Sequence, residues 1–200
     1  MARYTGPKDR LSRREGFDLF GKGAKLTRLM VTPGVHGPKG QMKAGSQYGK
    51  QLREKQKAKR LYQVSEKQFK RYMEKALETK GNTAEKFFSL LESRLDNTVF
   101  RLGFAKTRFQ SRQMVSHRHI LVNGKKVNIP SYQISIGDTI TLSTKAMDIP
   151  SIKLLLAVED FKIPGWLQRK AAAGQVKRLP IRDDVQEPIS EQDIIEYYSR

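Results

Sequence analysis

The positive charge of this chain is concentrated in its first 126 residues. Residues 1–60 contain 16 Lys and Arg against 4 Asp and Glu, and residues 61–126 contain 14 against 6. Residues 127–200 are close to neutral, with 9 against 10. An excess sustained over two thirds of a chain opposes compaction unless a polyanion neutralises it. Because nucleic acid is the usual polyanion, the charge pattern predicts a nucleic-acid-binding protein.

Several classes of protein are excluded by what the sequence lacks. The most basic segment, residues 51–60, is too polar to form the apolar face of a membrane-surface helix. No stretch approaches the roughly 20 apolar residues of a membrane span, and the N-terminus has no apolar signal segment. Cysteine is absent, which excludes disulfides, Cys-ligated zinc and a thiol nucleophile. We therefore expect no membrane partner, no small-molecule substrate and no cofactor.

Local signals change character at about residue 50. Residues 1–49 are punctuated by Gly and Pro and have few regularly spaced apolar residues, so they are predicted to be extended apart from a short helix at 9–15. A basic helix is predicted at 50–62, a second from a capping box at 65–68, and a third capped by Thr83. The second helix has its predicted core face at Phe69, Tyr72, Met73, Ala76 and Leu77.

The densest signals lie between residues 93 and 149. A capping box at 107–110 opens a helix, as a Thr with a Gln three residues later does at many helix starts. Asn123-Gly124 separates two apolar segments, which predicts a β-hairpin with a two-residue turn. A further strand is predicted at 139–143.

These signals predict an α+β fold that is mostly helical. The change at about residue 50 separates an extended N-terminal region at 1–49 from a helical remainder. Within that remainder, residues 93–149 form a compact module of two helices and a β-hairpin. Short helices are predicted at 152–158 and after Ser190, with Trp166 as the anchor of an irregular segment between them.

The sequence offers little for catalysis. It has no Gly-x-Ser-x-Gly motif for a nucleophilic serine and no cysteine to activate. His117 and His119 stand two apart, so an extended backbone would point both rings the same way, and a metal pair is an alternative there. No third metal ligand lies near them in sequence. We therefore predict that the chain is not an enzyme.

Basic residues in the module predict a surface for RNA. Arg108 and Arg112 stand four apart on one predicted helix, which places their Cβ atoms about 5–6 Å apart on one face, close to the phosphate spacing of a strand. Arg101 lies on the preceding helix, and Lys125 and Lys126 extend from the hairpin tip. The alternative is that Arg108 and Arg112 are ordinary exposed residues. Few acidic residues lie close by in sequence to pair with them, which favours phosphate as their partner.

A long motif in the same region carries a resemblance to a known family. Residues 91–108, Leu-Glu-Ser-Arg-Leu-Asp-Asn-Thr-Val-Phe-Arg-Leu-Gly-Phe-Ala-Lys-Thr-Arg, resemble the signature of bacterial small-subunit ribosomal protein four. The similarity continues through residues 117–120 and 122–124, and it reaches residues 1–7 and 195–200 at the two ends. It spans essentially the whole chain, and the motif is too long for chance.

The resemblance implies an N-terminal extension at 1–49, a helical domain at 50–92 plus 150–200, and an inserted small RNA-binding module at 93–149, in which two helices pack on a β-hairpin or small antiparallel sheet. It also implies a structural constituent of the small ribosomal subunit in the cytoplasm. Family members bind a multi-helix junction of the small-subunit rRNA early and directly, nucleate assembly of the subunit body and contribute to translational accuracy. Ribosomal protein five is the implied protein neighbour, and mRNA is an additional ligand that the resemblance allows. The RNA-binding residues that it implies are Arg3, Arg13, Arg14, His36, Lys50, Arg53, Lys55, Lys57, Arg94, Arg101, Arg108, Arg112, His117, His119, Asn123 and Lys125.

The chain departs from the family pattern at two points. Many members hold a zinc ion with four N-terminal cysteines, whereas Asp9 and Ser12 occupy the first two of those positions here. We therefore predict a zinc-free form whose residues 1–49 are ordered by contact with RNA. Arg118 replaces a glycine that is common between the two histidines. The arginine adds charge, but it is unfavourable for a tight turn that depends on glycine.

Two other classes of function share such a surface. An RNA-modifying enzyme such as a pseudouridine synthase carries a similar small module, but it needs a catalytic domain with an essential aspartate. Too little unassigned sequence remains here to supply that domain. A regulator or chaperone of free RNA needs only the same surface, and co-sedimentation with small subunits after a moderate salt wash would separate it from a structural protein.

Overall fold

A computed structural model of the chain describes residues 4–23, 26–37, 45–158 and 161–199. The chain divides into two compact units, the first from residues 1–78 and 187–200 and the second from residues 79–186. Helices predominate beside one antiparallel sheet, which confirms the predicted α+β class. The predicted helical domain differs from this division, because its residues 79–92 and 150–186 belong to the second unit.

The helices and strands occur largely where the local signals place them. The described α-helices are α1 (Lys8–Glu15), α2 (Gln47–Leu61), α3 (Glu66–Glu78), α4 (Thr83–Glu92), α5 (Leu95–Arg101), α6 (Arg108–Ser116), α7 (Thr144–Met147), α8 (Pro150–Leu156) and α9 (Glu191–Tyr198). The described strands are β1 (Ile120–Val122), β2 (Lys125–Lys126), β3 (Thr139–Leu142), β4 (Leu167–Lys170) and β5 (Ala173–Val176). None of the helices in the described ranges is long and apolar enough to cross a membrane.

The first unit is built on the packing of the basic helix α2 against the C-terminal helix α9. Ser46 caps α2, because its hydroxyl accepts a hydrogen bond from the Gly49 amide at 3.2 Å. The Gln51 amide of α2 donates to Glu196 of α9 at 2.7 Å. Gln51 is buried, so this bond satisfies its amide nitrogen at the helix contact.

Two local predictions in the helical segments are wrong. Leu77 was expected in the core of α3 but is 47% exposed, because it lies beside rather than on the stripe formed by residues 69, 72, 73 and 76. Thr83 was expected to cap α4, but the cap is Asn82. The Asn82 side chain accepts hydrogen bonds from two amides of the first turn, at 3.0 and 3.4 Å.

The second unit contains a five-stranded antiparallel sheet in the order β2-β1-β3-β5-β4. Asn123 and Gly124 have φ angles of 50° and 77°, as a type I′ turn requires, so the predicted hairpin is confirmed. Strands β4 and β5 were not predicted, because each has four residues and Gly, Ala and polar residues hide the alternation. Gly174 of β5 is needed where it lies, since a Cβ there would be 2.5 Å from Leu102.

One face of this sheet joins the hydrophobic core of the second unit. Ile120 of β1 and Ile140 of β3 are fully buried, and so is Trp166, which the sequence predicted as an anchor. The alternate residues Leu121 and Thr141 are directly opposed across β1 and β3 and remain partly exposed on the other face. The sheet therefore leaves an outer face beside the end of α6.

Candidate nucleic-acid interface

Arg108 is the first residue of helix α6, and its side chain is held by contacts with the preceding helix α5. Thr107 caps α6 as predicted, accepting a hydrogen bond from the Gln110 amide at 3.3 Å. The Arg108 Nε donates to Asn97 Oδ1 at 2.9 Å, and the guanidinium carbon lies 4.6 Å from the centroid of the Phe100 ring. The second distance is within the range of a cation–π contact. Both partners belong to α5, so the packing of α5 against α6 sets the direction of the Arg108 side chain.

Arg112, one turn further along α6, approaches an acidic residue. Its side chain is 15% exposed, and its Nη1 lies 3.6 Å from Asp96 Oδ2. The sequence indicated few acidic partners close to the α6 arginines along the chain, and the structure brings one, Asp96 of α5, next to Arg112. The contact arises because the first turn of α5 packs beside α6.

Two arginines that were expected to face RNA are buried in ion pairs. Arg94 donates its Nε and Nη2 to Asp96 at 3.0 and 2.7 Å, and it is 2% exposed. Arg101 donates its Nε and Nη2 to Glu92 at 2.9 and 2.7 Å, and it is 7% exposed. Such two-point pairing suits the planar guanidinium and satisfies its charge inside the protein. Arg94 and Arg101 therefore do not belong to the exposed face, which corrects the prediction that placed them there.

A cleft of about 450 Å³ opens where α6 ends. The basic or titratable residues that line it are His117, Arg118, His119, Lys126 and Lys145. Among the described residues at its wall, none is acidic. The rings of His117 and His119 lie 6.1 Å apart, and Leu121 and Thr141 line the cleft from the outer face of the sheet. A concave site with this lining favours an anionic group such as a phosphate.

Arg118 forms the turn between the two histidines, although its backbone conformation there is unfavourable for a residue with a side chain. Arg118 has a φ of 61°, in the left-handed region where a side chain costs about 1–2 kcal/mol. The tight turn therefore exists without the glycine that is common at this position. The arginine places a further positive charge in the cleft.

Lys126 was expected at the hairpin tip, and it stands opposite Leu121 in the β1–β2 register, on the outer face of the sheet. Sequence reasoning left Lys145 out of the site, because no local signal marked it. It reaches the cleft only because β3 returns beside β1 and α7 begins directly after it.

At the hairpin turn, the predicted residues Asn123 and Lys125 have different surroundings. The Asn123 side chain donates to Asp138 Oδ1 at 2.7 Å and accepts from the Thr139 amide at 2.9 Å. These bonds attach the turn to the start of β3, so the structure gives Asn123 a supporting role. Lys125 is exposed.

Several predicted residues of the first unit present exposed or partly exposed side chains. Arg14, His36 and Lys50 are exposed. Arg13 is partly buried, and it donates to the carbonyl oxygens of residues 31 and 32 at 2.9 and 3.1 Å, which ties α1 to the following loop. Arg3 lies outside the described residues.

The remaining predicted residues of the first unit lie on α2 and form ion pairs within the protein. Lys55 donates to Glu66 at 2.7 Å, and its side chain is only 5% exposed. Its placement on the RNA-facing surface is therefore corrected. Lys57 pairs with Glu54 at 3.2 Å and Arg53 with Glu15 at 3.3 Å, although the Arg53 side chain is 41% exposed.

A buried carboxylate links α1 to α2 within this first unit. Glu15 ends α1 with a side chain that is 1% exposed, and both Arg60 and Arg53 contact its Oε1 atom. Burial raises the pKa of Glu15, although the charges of Arg60 and Arg53 act to lower it. Burial likewise lowers the pKa of Arg60. The pair is therefore part of the interior that supports the basic helix.

Comparison with known proteins assigns the chain to a family. Residues 3–92 match the model of the ribosomal protein S4/S9 N-terminal domain, and residues 93–140 match that of the S4 domain. The chain is 47% identical, over the full length of both chains, to small ribosomal subunit protein uS4 of Ruthia magnifica subsp. Calyptogena magnifica. The chain belongs to the uS4 family. It is similarly related to the uS4 proteins of Cutibacterium acnes, at 50% identity, and Trichlorobacter lovleyi, at 49%, again over both full lengths.

Membership of the uS4 family confirms the resemblance carried by residues 91–108 and the prediction that the chain is not an enzyme. The zinc site of some members does not fit the residues present here. Asp9 forms an ion pair with Lys22, Ser12 is buried, and the sequence has no cysteine. Within the described part of the chain, no group of three or more His, Cys, Asp or Glu could hold a metal ion. The zinc-free form stays a prediction.

Proposed function

We propose that this uS4 family member binds folded small-subunit rRNA through α6, the cleft at its end and the tip of the β1–β2 hairpin. The chain is a structural protein of the small ribosomal subunit, as its family is. The cleft carries the proposal, because basic side chains converge on it from the end of α6, from β2 and from α7. Among the described residues around it, no carboxylate competes for them.

Electrostatics support phosphate as the ligand of this surface. The net charge of +19 produces self-repulsion in the folded protein, and a bound polyanion would relieve it. Structured RNA is recognised mainly by shape, 2′-hydroxyls and phosphates, which suits a rigid helix beside a shallow sheet face. Each phosphate that a basic side chain neutralises releases a counterion, so affinity falls as salt rises.

The proposal extends to the role of this binding in the subunit. In the first unit, Arg14 on α1 and Lys50 on the basic helix α2 are exposed. We propose that this unit binds a second rRNA helix of the same junction. A protein that binds two helices of one junction restricts their motion and thereby favours assembly of the subunit body. Primary rRNA binding, contact with ribosomal protein five and a contribution to translational accuracy belong to this proposal.

Simultaneous replacement of the two α6 arginines tests the assigned face. Arg108→Ala with Arg112→Ala should weaken binding to a small-subunit rRNA junction and reduce the slope of log Kd against log salt by about two, since two phosphate contacts are lost. Filter binding at several salt concentrations measures both quantities. Circular dichroism at the same temperature should show a folded protein.

A control of equal charge separates this face from general attraction. Lys153→Ala with Lys170→Ala also removes two exposed positive charges, from α8 and from the sheet edge opposite the β1–β2 hairpin. This variant should change Kd far less than the α6 variant. Equal losses of affinity in the two variants, or an α6 variant with an unchanged Kd and salt slope, would refute the assigned face.

A further inference from the structure

We propose that Asn97 and Phe100 are positioning residues that hold the Arg108 guanidinium ready for a phosphate. This inference rests on the RNA-binding function proposed above and deepens it. Neither residue carries charge, and neither was among the predicted RNA-binding residues. Both lie on α5, which packs directly against α6.

The two residues constrain Arg108 in different directions. Asn97 Oδ1 accepts from the Arg108 Nε at 2.9 Å, which fixes one edge of the guanidinium. The Phe100 ring lies against its face, with 4.6 Å between the guanidinium carbon and the ring centroid. An arginine held at an edge and at a face has few rotamers left.

Asn97 is itself immobilised by a buried network. It is 2% exposed, and its side-chain amide donates to Glu92 Oε2 at 2.7 Å and to the Glu92 carbonyl at 3.0 Å. Glu92 is in turn held by the two-point pair with Arg101. Buried polar groups that are mutually hydrogen-bonded are rigid. The buried pair Arg101–Glu92 thus supports Arg108 through Asn97, although Arg101 does not reach the surface.

This arrangement changes how tightly one phosphate contact binds RNA. Ordering a flexible side chain at an interface costs about 0.5–1.5 kcal/mol, which corresponds to about a two- to tenfold change in Kd. In this protein Arg108 is ordered before RNA arrives. Release of the guanidinium should therefore weaken binding by about that factor, while its charge still neutralises a phosphate.

Phe100 provides the test, because it is only partly buried and its side chain makes none of the hydrogen bonds of the buried network, although its ring centroid also lies 6.0 Å from the Arg101 guanidinium carbon. Phe100→Leu should raise the Kd for the rRNA junction about two- to tenfold, with an unchanged salt slope. Phe100→Tyr keeps the ring and should restore the affinity of the parent. In an Arg108→Ala background, Phe100→Leu should change Kd by less than about twofold, because the side chain that it positions is gone. Melting temperatures of all variants are measured alongside.

The outcomes separate this inference from the function on which it rests. Failure of the parent to prefer the junction over unrelated folded RNA would overturn both. If the parent does prefer it and Arg108→Ala weakens binding, equal effects of Phe100→Leu with and without Arg108 would overturn the positioning role alone. Weak binding by Phe100→Tyr would do the same.

Discussion

Removal of one partner from the buried pair of Arg101 and Glu92 should strongly destabilise the second unit, and Arg101→Met tests this. Methionine keeps much of the apolar volume but removes hydrogen bonds of 2.9 and 2.7 Å. The Glu92 side chain, at 0% exposure, would then keep a charge without its cation. Breaking a buried pair from one side costs about 3–5 kcal/mol. For a unit of this size, about 4 °C is lost per kcal/mol, so the melting temperature should fall by about 12–20 °C.

A second substitution shows whether the stranded charge is the cause. Adding Glu92→Gln to Arg101→Met removes the charge and keeps an oxygen for the Asn97 amide, so the double variant should be more stable than the single one. Thermal unfolding followed by circular dichroism measures both. The reasoning would be refuted if Arg101→Met melted within about 4 °C of the parent. It would also be refuted if the double variant were no more stable than Arg101→Met alone. Loss of rRNA affinity with unchanged melting would instead indicate that Arg101 faces RNA.

Two further predictions concern pH and packing. Burial acts to raise the pKa of Glu66, but hydrogen bonds from Lys55 and Lys59 outweigh it and hold the pKa at about 2. Because this value lies below the ordinary 4.5, the stabilisation is present above about pH 4.5 and is lost as pH falls towards about 2. Because the Glu66 side chain is half exposed, the effect on the free energy of unfolding is only about 1 kcal/mol. The free energies of unfolding of Glu66→Gln and of the parent, measured with urea, should differ by about that amount at about pH 6 and become equal at about pH 2. Gly174→Ala should cost about 1–3 kcal/mol, because its Cβ would meet buried Leu102, and an unchanged melting temperature would contradict this.

Features that depend on a few consecutive residues were predictable from the sequence. Thr107 and Ser190 cap their helices as expected, because each cap bonds an amide only three residues away. Asn123-Gly124 forms its turn for the same reason, since both residues tolerate positive φ. Strands β4 and β5 were missed, because their own residues show no alternation and the hairpin that they form joins the sheet through β3, which lies far from β5 in sequence.

The candidate site also combines features that depend on consecutive residues with features that depend on distant ones. The sequence predicted a site on α6 and on the segment after it, and the RNA-binding roles of its residues stay predictions. The convergence of Lys145 on the two histidines depends on the return of β3 beside β1. Asn97 and Phe100 had no charge to mark them, and their contacts with Arg108 exist only because α5 packs on α6.

The charge of this protein, most of its helices, its hairpin and its family can be read from the amino-acid sequence. Those properties follow from composition, from hydrogen bonds within one turn of chain and from a long motif. Which cations belong to the interior and which to the surface depends instead on how the helices pack. Arg94, Arg101 and Arg108 look alike along the chain, yet two of them are buried against carboxylates and the third is directed by a neighbouring helix. Ion pairing depends on distances of a few ångström through space, which helix packing sets and sequence spacing does not.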